Sequence, residues 1–280
     1  MKTLGYYNGE IGELDTMRIP MLDRACYFGD GVYDVTYCRN YRIFALDEHA
    51  NRFFKCAEQL KIVPNISKEA FCELLYSLIR RMDSGDLWIY FQFSRGTAPR
   101  AHVFPQDTPP NLWIMLKPGG IQDVYRPFRC ITLEDTRYYH CNIKTLNLLP
   151  NVLAAQATEE AGVDEAILHR GDTVTECSHS NISILKDGVL ITHPTNQFIL
   201  AGIGRAHLIA ACRKTGISVI ERPYTLSELM DADEAYITSA SALCMRVIEV
   251  DGVPIGGRNA AITKRLQDDL LNDYLEATAP

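Results

Sequence analysis

Pro118, Gly119 and Gly120 open a polar stretch that continues through Asp123 to Pro127, and this stretch constrains the fold more than any other feature of the chain. Proline removes a backbone donor and glycine loses the most chain entropy on ordering, so neither a helix nor a strand passes easily through such a segment. Two domains are therefore expected, 1–118 and 128–280, joined by a linker over 119–127. A chain of 280 residues is long enough for each part to bury a core of its own.

The part before the linker reads as a sheet with two helices laid on it. Asn8-Gly9 between aromatic and apolar residues signals a hairpin, and Val32 to Tyr37 followed by Tyr41 to Phe44 signals a second, turning at Arg39-Asn40. The period then changes. Phe53, Phe54, Ala57, Leu60 and Ile62 recur at helical spacing between Glu48 and Ile62, and Ser67 is placed to cap a helix from Lys68 to about Met82. Leu87 to Ser94 and Leu112 to Lys117 read as strands that end at Gly or Pro.

After the linker, strand and helix alternate more freely. Phe128 to Leu133 and Glu165 to His169 read as strands, separated by a helix that Pro150 starts and Gly162 stops. Asp187-Gly188 turns a hairpin, and a helix from about Arg205 to Lys214 ends before Gly216. Ser218 to Glu221 is strand-like, Asp251-Gly252 turns the last hairpin, and Ala260 to Leu275 is an amphipathic helix. The expected class is α+β, in two mixed domains, with a site at their interface.

Composition narrows the function. An apolar fraction of 47% and a charged fraction of 22% fit a soluble globular protein, and no apolar run approaches the roughly 20 residues of a membrane helix. The start of the chain carries no long apolar core of the secretory kind. Nine cysteines without a Cys-x-x-Cys pair suggest reduced thiols and a cytoplasmic setting. A net charge of -7 argues against nucleic acid as a partner.

Lys144 lies between apolar and small polar neighbours in Cys141 to Asn147, and Glu176 lies in Val174 to Asn181. A sheltered amine, and a carboxylate that keeps a ring nitrogen protonated, are the two protein groups that pyridoxal phosphate chemistry needs. An ordinary lysine, with a pKa near 10.4, leaves only about one amine in a few thousand free at neutral pH. Lowering that pKa by about three units costs roughly 4 kcal/mol, so shelter around Lys144 is expected. Taken singly, these residues also fit a surface lysine at a helix entry and a glutamate on a solvated strand edge.

Gly202, Ile203, Gly204 and Arg205 open a helix and form the best phosphate-binding candidate, because glycine lets backbone amides of a first helical turn approach an anion. A glycine-rich turn with a capped helix fits equally. Ser178, Ser180 and Asn181 could fix a carboxylate or a phosphate, or form a plain turn. Cys177, His179 and His169 lack a fourth ligand at sensible spacing, so no metal is expected. Arg100 and His102, two apart after Arg95-Gly96-Thr97, can point to one side and grip a carboxylate; a solvated basic loop is the alternative.

These stretches together resemble the D-amino acid aminotransferases among the fold type IV pyridoxal phosphate enzymes, a group that also holds branched-chain aminotransferases and aminodeoxychorismate lyases. The likeness runs through Tyr27 to Tyr33, Arg95 to His102, Ile143 to Leu149, Glu165 to Arg170, Thr173 to Asn181, Leu200 to Arg205 and Thr238-Ser239. It implies that Lys144 carries the cofactor covalently and moves the substrate proton, and that Glu176 pairs with the ring nitrogen. It further implies phosphate contacts from Arg52, the Ile203 and Gly204 amides and Ser239, with Leu200 against the ring. Tyr33, Arg100 and His102 would hold the substrate α-carboxylate, the last two reaching across a homodimer.

Gly204 and Ala240 depart from the pattern, which generally has hydroxyl residues there. At roughly 1 to 3 kcal/mol for each hydrogen bond to a charged group, looser cofactor binding is expected. The Arg100-x-His102 pair favours D-amino acids, with D-alanine and 2-oxoglutarate as the leading pair. Another fold type IV enzyme, a branched-chain aminotransferase or an aminodeoxychorismate lyase, and a non-catalytic cofactor-binding protein are the other readings.

Overall fold

The computed structural model describes residues 1–280, and they form two compact units. The first holds residues 1–120, 143–147 and 275–280; the second holds 121–142 and 148–274. The expected boundary at 118 assigns 143–147 and 275–280 to the later domain. Hydrogen bonding places them with the first unit. The Tyr33 amide donates to the Lys144 carbonyl at 2.9 Å, the Leu146 amide to Gly31 at 3.1 Å, and Asn40 Nδ2 to Thr278 at 3.0 Å.

The first unit is built from β1 (Leu4–Tyr7), β2 (Glu10–Gly12), α1 (Arg24–Phe28), β3 (Gly31–Arg39), β4 (Arg42–Ile43), α2 (Leu46–Gln59), α3 (Lys68–Ile79), β5 (Leu87–Ser94) and β6 (Asn111–Pro118). The six strands pair in the order β2-β1-β6-β5-β3-β4, antiparallel at every pair. Alternation along β3 sends Val32 inward and leaves Tyr33 and Val35 half-buried on the other face. The inward residues meet α2 and α3, where Phe53, Phe71, Phe91 and Phe93 are fully buried. Phe53 stacks on Phe93 with centroids 4.5 Å apart.

Local signals explain the ends of these elements. Asn8 and Gly9 adopt positive φ (48° and 99°), as a tight hairpin requires. The second hairpin turns one residue later than expected, because Asn40 and Tyr41 both take the left-handed conformation. Ser67 caps α3 by accepting from the Ala70 amide at 3.2 Å.

The second unit contains β7 (Phe128–Glu134), α4 (Leu149–Ala161), β8 (Glu165–Arg170), β9 (Thr173–Cys177), β10 (Asn181–Lys186), β11 (Val189–Thr192), α5 (Ile203–Lys214), β12 (Ser218–Glu221), α6 (Leu226–Met230), β13 (Glu234–Thr238), β14 (Met245–Val250), β15 (Val253–Pro254) and α7 (Ala260–Ala277). One mixed sheet runs β12-β11-β10-β13-β14-β7-β8-β9, with β15 on β14. Its core packs Ile167, Ile182, Ile237 and Val247 on one side, and Leu185 and Tyr236 against Leu208 of α5 and Leu266 of α7 on the other. All nine cysteines are free thiols, and no helix is long and apolar enough to cross a membrane.

Candidate active site

Lys144 is held by its backbone. An isolated antiparallel bridge joins Val32 to Thr145, and the Lys144 amide lies 3.4 Å from Cys56 Sγ. The side chain is half-buried, and its Nζ sits over the Tyr33 ring, 4.3 Å from the centroid. Tyr33 in turn stacks on Tyr90 at 5.5 Å and 19°. The amine thus rests on an aromatic face, where a cation is attracted by the ring quadrupole.

Arg52 of α2 grips Asp34 of β3 with its Nε and Nη2, at 2.8 and 2.7 Å. His49, one turn earlier on the same helix, places Nδ1 2.8 Å from the same carboxylate. Burial alone would raise the Asp34 pKa, but the Arg52 guanidinium and the His49 bond more than offset it and hold the carboxyl below the usual range. Burial also lowers the pKa of His49; Asp34 opposes that change, and the positive charges of Arg52 and Lys144 add to it.

Arg100 and His102 stand on an exposed segment, but both meet one residue. Arg100 lies over the Phe28 ring at 4.9 Å and His102 approaches it at 5.1 Å. The two side chains thus share one aromatic neighbour while remaining exposed.

In the second unit Glu176 is the penultimate residue of β9 and is 5% exposed. Its Oε2 accepts from Asn181 Nδ2 at 2.8 Å and from the Leu200 amide at 3.0 Å, and its Oε1 pairs with Arg137. Arg137 also binds Asp135. Burial would lower the Arg137 pKa, yet the Asp135 bond and the Glu176 charge drive it above the ordinary range. Ser178 and Ser180 turn to a different carboxylate, Glu165. The serines and Asn181 thus serve acids already present in the protein.

Gly202, Ile203, Gly204 and Ser239 come together at the start of α5. A Cβ on Gly202 would fall 1.9 Å from Asn181 Oδ1, and one on Gly204 would lie 3.0 Å from the Ser239 carbonyl oxygen. Both positions are thereby reserved for glycine or a shifted neighbour. Gly202 offers no side-chain cap and the first turn has no acid, so amides at the positive end of the helix are left to an outside acceptor. Ser239 Oγ accepts from the Ala242 amide at 3.1 Å and lies 3.3 Å from Ser241 Oγ, and its hydroxyl can donate as well as accept. Thr238 Oγ1 is buried with no partner. This donor set fits a phosphate group. Arg205 does not belong to it, because its guanidinium is used by Thr192, the His193 carbonyl and Glu221.

Sequence reasoning missed Arg137, Asp34, His49 and Phe28. His49 and Arg52 carried a signal, two polar residues one turn apart on the apolar face of a helix. Arg137 carried only its spacing from Asp135.

The amino-transferase class IV family pattern matches residues 31–250. The D-alanine aminotransferase of Listeria monocytogenes serotype 4b (strain F2365) is 38% identical over 276 residues, covering 96% of each chain. Among solved structures, the branched-chain aminotransferase of Thermoproteus uzoniensis with norvaline superposes with a TM-score of 0.89 at 24% identity, covering 99% of this chain and 96% of that one. The branched-chain amino acid aminotransferase from Escherichia coli also gives 0.89, at 22% identity, covering 99% and 96%. The fold is fold type IV, and this chain belongs to the class IV aminotransferases, which are pyridoxal phosphate-dependent enzymes.

Proposed function

We propose that this aminotransferase acts on D-amino acids, with D-alanine and 2-oxoglutarate giving pyruvate and D-glutamate as the leading reaction. The observation that carries this reading is the Lys144 amine resting 4.3 Å from the centre of the Tyr33 ring, which sets the amine beside a phenol suited to a carboxylate. Similarity to a D-alanine aminotransferase along 96% of the chain supports the choice of D-substrates, as does the Arg100-x-His102 pair.

Pyridoxal phosphate, when bound, supplies the electron sink that stabilises negative charge at the substrate Cα. Lys144 would hold the cofactor through its ε-amine and, once displaced by the incoming amine, carry the proton between the substrate Cα and the cofactor C4′. Glu176 would accept a hydrogen bond from the ring nitrogen, since each carboxylate oxygen can take more than one donor. Arg52, the Ile203 and Gly204 amides and Ser239 would hold the phosphate, with Leu200 against the ring. Tyr33, Arg100 and His102 would bind the substrate carboxylate.

A homodimer, in which Arg100 and His102 serve the partner's site, is supported by large apolar side chains left exposed: Met21, Val103 and Phe104 in the first unit, and Leu149, Val152 and Leu153 in the second. Nine free thiols support a cytoplasmic setting. Lys144→Ala tests the core of the proposal. It should abolish both the visible absorbance of the covalently held cofactor and turnover; normal activity in that variant would refute the assignment.

A further inference from the structure

We propose that Phe28 and Arg24 are positioning residues for the substrate-carboxylate trap, splinting Arg100 and His102 in their working orientation. The inference rests on the carboxylate role of that pair. Arg100 and His102 are themselves exposed, yet the chain around them is fixed at successive points by α1 and the residues just before it. The Ala98 amide donates to the Leu22 carbonyl at 3.0 Å, and the Arg24 amide to the Gly96 carbonyl at 2.9 Å. Tyr27 Oη donates to the Ala98 carbonyl. Arg24, 2% exposed, sends Nη1 to the carbonyl of Ala101 at 2.7 Å. Ala101 is the residue between the two trap side chains, so this bond anchors the segment that links them.

The same guanidinium is committed on its other edge, where Nε donates to Asp30 Oδ2 at 2.8 Å. Arg95 donates to that oxygen as well, also at 2.8 Å, and its Nη2 reaches the Leu60 carbonyl. Asp30 therefore anchors two arginines and keeps Arg24 from swinging. Phe28 completes the splint. Its ring lies under Arg24 at 4.8 Å and Arg100 at 4.9 Å and meets His102 at 5.1 Å. A long exposed arginine loses much rotamer entropy when it is held in one orientation. A ring that favours one placement of the guanidinium removes part of that cost before substrate arrives.

The test measures half-reaction rates, followed by the visible absorbance of the holoenzyme, with D-alanine and with isopropylamine, which has no carboxylate. Phe28→Leu removes the ring and retains bulk. The expected result is a loss of roughly three- to tenfold in kcat/KM for D-alanine, carried by KM, with isopropylamine unchanged. Phe28→Tyr should restore the D-alanine value. Arg24→Lys keeps the charge beside Asp30 but cannot serve Asp30 and Ala101 together, so it should give the same selective loss. Equal losses on both amines, or no loss on either, would overturn the splint. Arg100→Ala separates the two layers of the argument. If it is selective for the carboxylate substrate and Phe28→Leu is not, the splint alone is wrong; if Arg100→Ala is not selective, the trap falls and the splint with it.

Discussion

Arg52 and Asp34 are joined by two parallel hydrogen bonds, 2.8 and 2.7 Å long, on a carboxylate that is fully buried. The pair makes stability depend on pH in a definite direction. Asp34 is held below the usual carboxylate range in the folded protein, so the unfolded chain, with a pKa near 3.9, takes up the proton first as pH falls. The contribution is complete above about pH 4 and is lost below it. His49 adds an earlier stage, because its folded pKa is lowered and the unfolded imidazole protonates from about pH 6.5 downward. Urea midpoints measured from pH 7 to pH 3 should decline in these two stages. Asp34→Asn should flatten the lower stage while costing roughly 3 to 5 kcal/mol at pH 7, the penalty of leaving Arg52 buried beside a neutral group.

Arg100→Ala should reduce turnover of D-alanine by about 100-fold, since charge-assisted contacts of about 1.5 to 3 kcal/mol are lost with the guanidinium. Simple amines should be little affected. Steady-state comparison of the two substrate types checks this, and an equal loss on both would remove the carboxylate role.

Gly204→Thr is expected to weaken cofactor retention despite adding a hydroxyl. Its Cβ would press on the Ser239 backbone, 3.0 Å from the carbonyl oxygen and 3.2 Å from the nitrogen, and rigid backbone gives way only by shifting the donors beside it. Dialysis of the holoenzyme followed by absorbance should show faster cofactor loss in the variant. Slower loss would mean that the missing hydroxyl, and not the close packing, limits affinity here.

Arg137→Met should disturb Glu176. Arg137 is the cation that joins Glu176 to Asp135, and breaking a buried pair from one side costs roughly 3 to 5 kcal/mol. The expected outcome is a lower urea midpoint together with a shifted visible band in the holoenzyme. A lower midpoint with an unmoved band would make Arg137 purely structural.

Much of this fold was legible because its strands alternate and its helices are punctuated. β3 shows the two-residue period, Ser67 marks the start of α3, and Gly162, with φ of 64°, marks the end of α4. What escaped was either too short or too uniform. α1 has five residues and no room for a period, and β13 is buried at every position, so nothing alternates along it. The attachment of 143–147 beside β3 is a long-range backbone pairing that no local pattern encodes. Lys144 and Glu176 stood out because their chemistry is unusual among apolar neighbours. Arg137, Phe28 and Arg24 did not, because only the folded chain shows that an ordinary arginine or phenylalanine touches a functional group.

The most direct test of the account is a rapid-mixing half-reaction of the holoenzyme with paired D- and L-amino acids, read as loss of the bound cofactor's visible band. D-alanine should convert the cofactor rapidly and L-alanine and L-leucine should not, with Lys144→Ala unreactive toward all three. Conversion by L-leucine at a rate equal to or above that of D-alanine would contradict the account.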